Sequence, residues 1–129
     1  MATIDWAVNV TFGSWQIPNK GTIDGSGVAV DRIDVAIPKP TPSTKVKVGV
    51  DSTDDLKFLL ITSDIADANL AYTVDAQANP VVLDAPLHLF VGSGAAKSAL
   101  GPSVQVIDFN NGTKGPANIT IFVGRTVAP

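Results

Sequence analysis

Histidine occurs once, at His88, and cysteine does not occur. Those two counts remove most catalytic devices at the outset. Thiolate chemistry, disulfides and cysteine metal sites lack their parts. A Ser-His-Asp relay needs a serine presented on a sharp turn beside an oriented base. Gly92-Ser93-Gly94 lacks the five-residue spacing of such a turn. His88 alternates with Leu87 and Leu89. It could be a base oriented by an Asp, but a lone histidine in that setting reads first as a surface or satisfied strand residue. Lys97-Ser98 would close a phosphate loop only if Val91 and Ala96 were glycines. The segment Gly92 to Pro102 therefore reads as a long loop with room for one turn of helix.

Carboxylates are the remaining chemical resource. All 12 acidic residues are Asp, and Glu is absent. Asp51, Asp54 and Asp55 lie close together and could hold Ca²⁺, a hard cation that takes oxygen ligands. An EF-hand is excluded, because its loop closes with Glu. The plainer reading of the trio is a solvated acidic turn. Val50-Asp51-Ser52-Thr53 resembles the Asp-Ser/Thr-Gly turn of retroviral-type aspartic proteases. Those are small β-rich dimers in which two carboxylates share one proton. The resemblance implies a small hydrolase with Asp51 as its carboxylate. Thr53, however, stands at the position where that turn requires glycine.

Carbohydrate binding needs aromatic faces, and aromatic residues make up only 6 % of the chain. Trp15, in a Gly-Ser turn, is the candidate platform of a lectin-like site, with Tyr72 and Asp54 as more distant candidates. Trp6 falls on the apolar side of an alternating run and reads as core.

The elements that would carry these residues are strands. Ile4, Trp6, Val8, Val10 and Phe12 alternate with Asp5, Ala7, Asn9 and Thr11, the two-residue period of a half-buried strand. Gly13-Ser14 breaks it, and Trp15 and Ile17 follow up to Pro18. Asn19-Lys20-Gly21 and Asp24-Gly25-Ser26-Gly27 are turn chemistry. From Val28 and Val30 the apolar phase slips to Ile33, Val35 and Ile37, which predicts a bulge, or a bend between sheets, at Asp31-Arg32. Pro38 to Ser43 predicts a stiff crossover or an edge guard. Val46, Val48 and Val50 alternate with Lys45, Lys47 and Gly49. Leu56 to Thr62 is apolar on both faces, as in a central strand covered on both sides by its own fold or by another subunit. Ser63-Asp64 could cap one helical turn through Ala68. Further runs fall at Leu70 to Val74, Val81 to Leu83 and Leu87 to Val91. Val104 to Phe109 and Ile119 to Val123, joined by Asn110 to Gly115, predict a terminal hairpin.

About eight or nine short strands at this spacing, with no long helix, predict an all-β antiparallel sandwich, a jelly roll or a related barrel. The 129 residues allow one domain. A net charge of −3 argues against a nucleic-acid surface. The N-terminus lacks a basic region and an unbroken apolar stretch, so no secretory signal is expected. Phe58 to Ile61 is far shorter than the roughly 18 residues of a membrane helix. The expectation is synthesis in the cytoplasm, the chain then staying inside the cell or leaving by a route that needs no signal peptide, with assembly into a particle compatible; the location itself stays unknown. The sequons at Asn9, Asn111 and Asn118 then read as by-products of Asn- and Thr-rich strands and turns. Apolar residues make up 45 % of the chain and charged residues 16 %, so some apolar surface should be buried against sister copies. The expectation is a non-enzymatic structural or interaction protein acting as a symmetric homo-oligomer, such as a virion coat, decoration or shell subunit. The lectin-like binder centred on Trp15 and the hydrolase centred on Asp51 are the alternatives.

Overall fold

The computed structural model describes residues 3–24, 28–38, 41–65, 67–75, 80–85, 87–91, 93–113 and 115–126. Ten strands occur among them: β1 Thr3–Phe12, β2 Trp15–Asp24, β3 Val28–Ile37, β4 Thr41–Val50, β5 Leu56–Ser63, β6 Leu70–Val74, β7 Val81–Val82, β8 Leu87–Val91, β9 Val104–Asn111 and β10 Ala117–Thr126. One helix, α1, spans Ser93–Leu100, and a 3₁₀ turn covers Thr53–Asp55.

Eight strands form two four-stranded antiparallel sheets, β3-β10-β5-β8 and β4-β9-β6-β7. The first is called sheet I and the second sheet II. The pairing is nested: β3 with β10, β4 with β9, β5 with β8, and β6 with β7. Four strands run out, four run back, and successive pairs fall in alternate sheets. That is the wiring of a jelly roll. The remaining strands, β1 and β2, form a separate two-stranded ribbon.

The core lies between the sheets. Leu59 and Ile61 of β5 and Ile119, Ile121 and Val123 of β10 meet Val46, Val48, Leu70, Tyr72, Ile107 and Phe109 of sheet II. Burying each large apolar side chain contributes about 1.5–3 kcal/mol. Polar ties close the rim. Arg125 of β10 donates from Nη1 to the Val48 carbonyl at 2.8 Å and pairs with Asp31 of β3. Thr53 donates from Oγ1 to the Gly101 carbonyl at 2.6 Å, and from its amide to the Pro102 carbonyl at 2.7 Å. Asp75 sits in the left-handed region, φ 52°. Its carboxylate accepts from the amides of Gln105 and Val106, both at 2.8 Å, which binds the end of β6 to the start of β9.

Several expectations need correction. β9 and β10 do not form a hairpin, because they belong to different sheets. Asn111 turns the chain from one sheet to the other. Its Nδ2 donates to Gly115 at 3.0 Å and to the Ile37 carbonyl at 3.3 Å, while Oδ1 accepts from the Thr113 amide at 3.0 Å. No bulge interrupts β3, whose register with β10 is continuous from Val28 to Ile37. Val28 and Val30 share the outer face with Arg32, and the phase slip marks an outer face that is itself apolar. Asn19-Lys20-Gly21 is strand, not turn. Pro18 is tolerated there because β2 has a free edge. Gly21 is needed because a Cβ would lie 2.7 Å from the Trp6 indole. The loop after β8 holds two turns of helix rather than one, as the alanines allow, with Leu100 buried and Gly101 at φ 92° ending it. Among the described residues between Ser63 and Leu70, none is helical. The Ser63 Oγ accepts from the Ile65 amide, and Asp64 turns outward to Asn118. The 25–27 turn lies outside the described residues.

Replacing Asn111 by Ala leaves the buried Ile37 carbonyl without its Asn111 donor, and such a loss costs about 1–3 kcal/mol. Urea unfolding of Asn111→Ala should show it, against a change below about 0.5 kcal/mol for the exposed neighbour in Asn110→Ala.

Candidate interaction surface

The outer faces of the two sheets differ in kind. On sheet II, Lys45 and Lys47 of β4 stand beside Asp108 and Asn110 of β9 and Thr73 of β6. Ser43 donates to Asp108 at 2.7 Å. On sheet I, register places Phe58 and Leu60 of β5 beside Phe122 and Gly124 of β10 and Leu89 and Val91 of β8. This face continues onto Val30 and Leu87, both exposed.

The ribbon partly covers that apolar face. Its loop is Gly13-Ser14, with Gly13 at φ 59°, the glycine-first pattern that suits the twist of a two-residue hairpin. Residues opposite one another share a face, so Ile4, Trp6 and Val8 lie with Ile17 and Trp15, while Asp5, Asn9 and Thr11 lie with Gln16, Lys20 and Thr22. The ribbon is thus apolar on one side and polar on the other. Thr22 donates to Asp5 across the polar side at 3.0 Å. Ile4 is buried at 7 % exposure, and its Cδ1 takes the space over Gly124, 2.9 Å from where a Cβ would be. Only glycine lets the ribbon lie so close to β10. Farther along, Trp6 and Val8 overhang Phe58, Leu60, Leu87 and Leu89, leaving a groove of about 220 Å³. A second cleft of about 460 Å³ adjoins it on the other side of Phe58 and Leu60, under Ile4, and that one falls within the roughly 300–1,000 Å³ of small-molecule sites. The outer half of the ribbon carries Trp15 and Ile17, 70 % and 60 % exposed. Trp6, expected in the core, is half-buried and packs on Gly21 instead.

Area gives the same picture. The chain exposes 7502 Å², whereas a compact monomer of 13.3 kDa exposes roughly 6,500 Å².

The other candidate residues are not brought together. Trp15 is on the ribbon, Asp54 is exposed in the 3₁₀ turn, and Tyr72 is 1 % exposed between the sheets. A buried ring offers no face to a sugar. Asp54 pairs with Lys97 of α1 at 3.4 Å, and Asp51 accepts from Gln105 Nε2 at 2.5 Å. Asp55 is exposed. Among the described residues, no three His, Asp or Glu side chains are placed to hold a metal ion. Thr53, at the position of the protease-like glycine, docks α1. Every buried polar side-chain atom of the described residues has a partner. Asn111 is 1 % exposed with both ends of its amide engaged, so this sequon is closed to modification in the fold. No described helix is long and apolar enough to cross a membrane.

His88 is the inner-face residue of β8 opposite Ile61. Its Nδ1 lies 2.7 Å from the Tyr72 hydroxyl, joining the two sheets. Burial lowers the His88 pKa, opposed in part by Asp84. Burial also pushes the Tyr72 hydroxyl well above its ordinary value. On the surface, a hydrogen bond from Thr120, aided by Arg32, lowers the Asp34 pKa, and hydrogen bonds from Asn118 lower that of Asp64.

The chain matches no protein-family model, no curated protein and no solved structure.

The histidine gives a pH dependence of known sign. Below the ordinary value of 6.5, the unfolded chain takes up a proton that folded His88 resists. Stability is therefore full above that value and falls as pH drops toward the folded pKa. Thermal melting between about pH 7 and 5 should show the decline, and His88→Gln should flatten that part of the curve.

Proposed function

We propose that the chain is a non-enzymatic structural subunit that acts as a symmetric homo-oligomer. The observation that carries this reading is the one-sided apolar surface. The ribbon and sheet I carry Trp15, Ile17, Val30, Leu87 and Val91 as exposed large apolar side chains, while sheet II carries Lys45, Lys47 and Asp108, with Val82 its one such side chain among the described residues. A monomer has no use for so lopsided a surface, and association of copies through it would remove the excess area. Virion coat, decoration and shell subunits are the class that suits a small jelly roll with an apolar flank, an assignment made by analogy of architecture.

Light scattering on a sizing column tests it. At tens of micromolar, the measured mass should be a whole multiple, at least two, of 13.3 kDa. A stable monomer at that concentration overturns the reading.

A further inference from the structure

The two sheets are tied to each other differently on their two sides. On the side of β3 and β4, Arg125 of β10 donates to the Val48 carbonyl of β4 at 2.8 Å, and Asn111 of β9 donates to the Ile37 carbonyl of β3 at 3.3 Å. A guanidinium and an amide keep their protonation states near neutral pH. On the opposite side, where the short strands β7 and β8 form the edges, the tie is the bond between Tyr72 of β6 and His88 of β8, 2.7 Å from hydroxyl to Nδ1. Histidine is the side chain whose charge ordinarily changes between about pH 5 and 8, and the chain has one.

We infer that the Tyr72–His88 bond is an acid-operated latch: a proton taken up at His88 Nδ1 breaks it and frees β8 from β6, opening that side of the sandwich while the β3–β4 side stays shut. The inference is independent of self-assembly. Tyr72 is 1 % exposed, with the Phe109 ring 5.8 Å away, and among the described residues its hydroxyl has no acceptor besides His88. The neutral imidazole therefore receives the hydroxyl hydrogen at Nδ1 and carries its own on Nε2. A proton at Nδ1 forces the hydroxyl to turn its hydrogen into apolar surroundings, where an unmade bond is costly. It also sets an imidazolium charge against the core. The neighbouring elements offer little to offset this. β5 presents Leu59 and Ile61 to the inner face of β8, β6 presents Tyr72, and Phe109 of β9 lies behind it. Lys57 of β5 lies beyond Val91, at the far end of β8, and Lys97 of α1 is paired with Asp54. Burial opposes the proton at His88, and Asp84, on the connection from β7, favours it. With β7 two residues long and β8 five, few backbone bonds hold this side once the latch is open.

A single histidine makes arrival of the proton directly visible, since the imidazole resonances in an NMR titration come from His88 alone. Amide exchange, corrected for its intrinsic pH dependence and measured at one protein concentration, is then compared at about pH 7 and 5. Once His88 is protonated, exchange of Leu87–Val91 and Leu70–Val74 should quicken about tenfold or more, the order of one lost buried hydrogen bond. Val28–Ile37 and Thr41–Val50 should hold their rates. In His88→Gln the glutamine carbonyl accepts from the Tyr72 hydroxyl without titrating, so the difference between the two pH values should vanish. Asp84→Asn, at an exposed position, keeps the latch but removes the charge that favours the proton. The ring titration and the exchange midpoint should both move to lower pH, a result that tests the latch even if His88→Gln does not fold. A uniform acceleration across all strands would mean general loss of stability and would overturn the latch. Unchanged exchange in β6 and β8 after the ring has titrated overturns it too, as does a ring that stays neutral down to about pH 5.

Discussion

A strand that is apolar on both faces must be covered on both faces. β5 is that strand. Leu59 and Ile61 point between the sheets, where sheet II covers them, and Phe58 and Leu60 point the other way. A sandwich of two sheets supplies only one cover. The second must come from somewhere else, and the chain supplies part of it by laying Ile4 over Gly124 and extending Trp6 and Val8 across Leu89. The amphipathic ribbon, the glycines at 21 and 124 and the apolar outer face of β3 at Val28 all answer this one requirement.

The frame beneath the ribbon is tied at several points that are independent of it. Asn111 holds the crossing from β9 to β10, Arg125 joins sheet I to the carbonyl of Val48, and Tyr72 meets His88 across the core. Thr53 fastens α1 to the end of β4. These ties lie at the rim, at the sheet junction or, for Tyr72 and His88, between the sheets, and leave the outer face of sheet I free of polar commitments near β8. That apolar flank is the surface through which the proposed self-association would act.

Much of this was readable from residue order. Alternation located the strands, because one face of each is buried and the other is wet, and the lone doubly apolar run correctly identified the central strand. Two kinds of feature were not readable. Sheet membership was one: Asn110 to Gly115 carries the composition of a hairpin turn, yet the same residues turn the chain between sheets once the Asn111 amide finds, besides Gly115 nearby, the carbonyl of Ile37 far back in the chain. Long-range pairing of this type leaves no local signature. The second was β2, hidden because Pro18, Asn19 and Gly21 mimic a turn. Their acceptability depends on a free strand edge and on an indole lying over a glycine. For the surface, Trp15 was visible as an exposed aromatic, but Tyr72 and Asp54 were grouped with it only by residue type, and the fold puts one in the core and the other against Lys97. The groove under Trp6 could not be anticipated, since it is formed by strands far apart in sequence.

The central claim is that the outer face of sheet I is completed by copies of the same chain. Amide hydrogen exchange, measured at a low and a high protein concentration, addresses it most directly. The account predicts that protection of Leu87–Val91 and of the ribbon around Trp15 and Ile17 grows with concentration, while the amides of β6 and β9 exchange at the same rate in both samples. Exchange in β8 and the ribbon that is independent of concentration would contradict it.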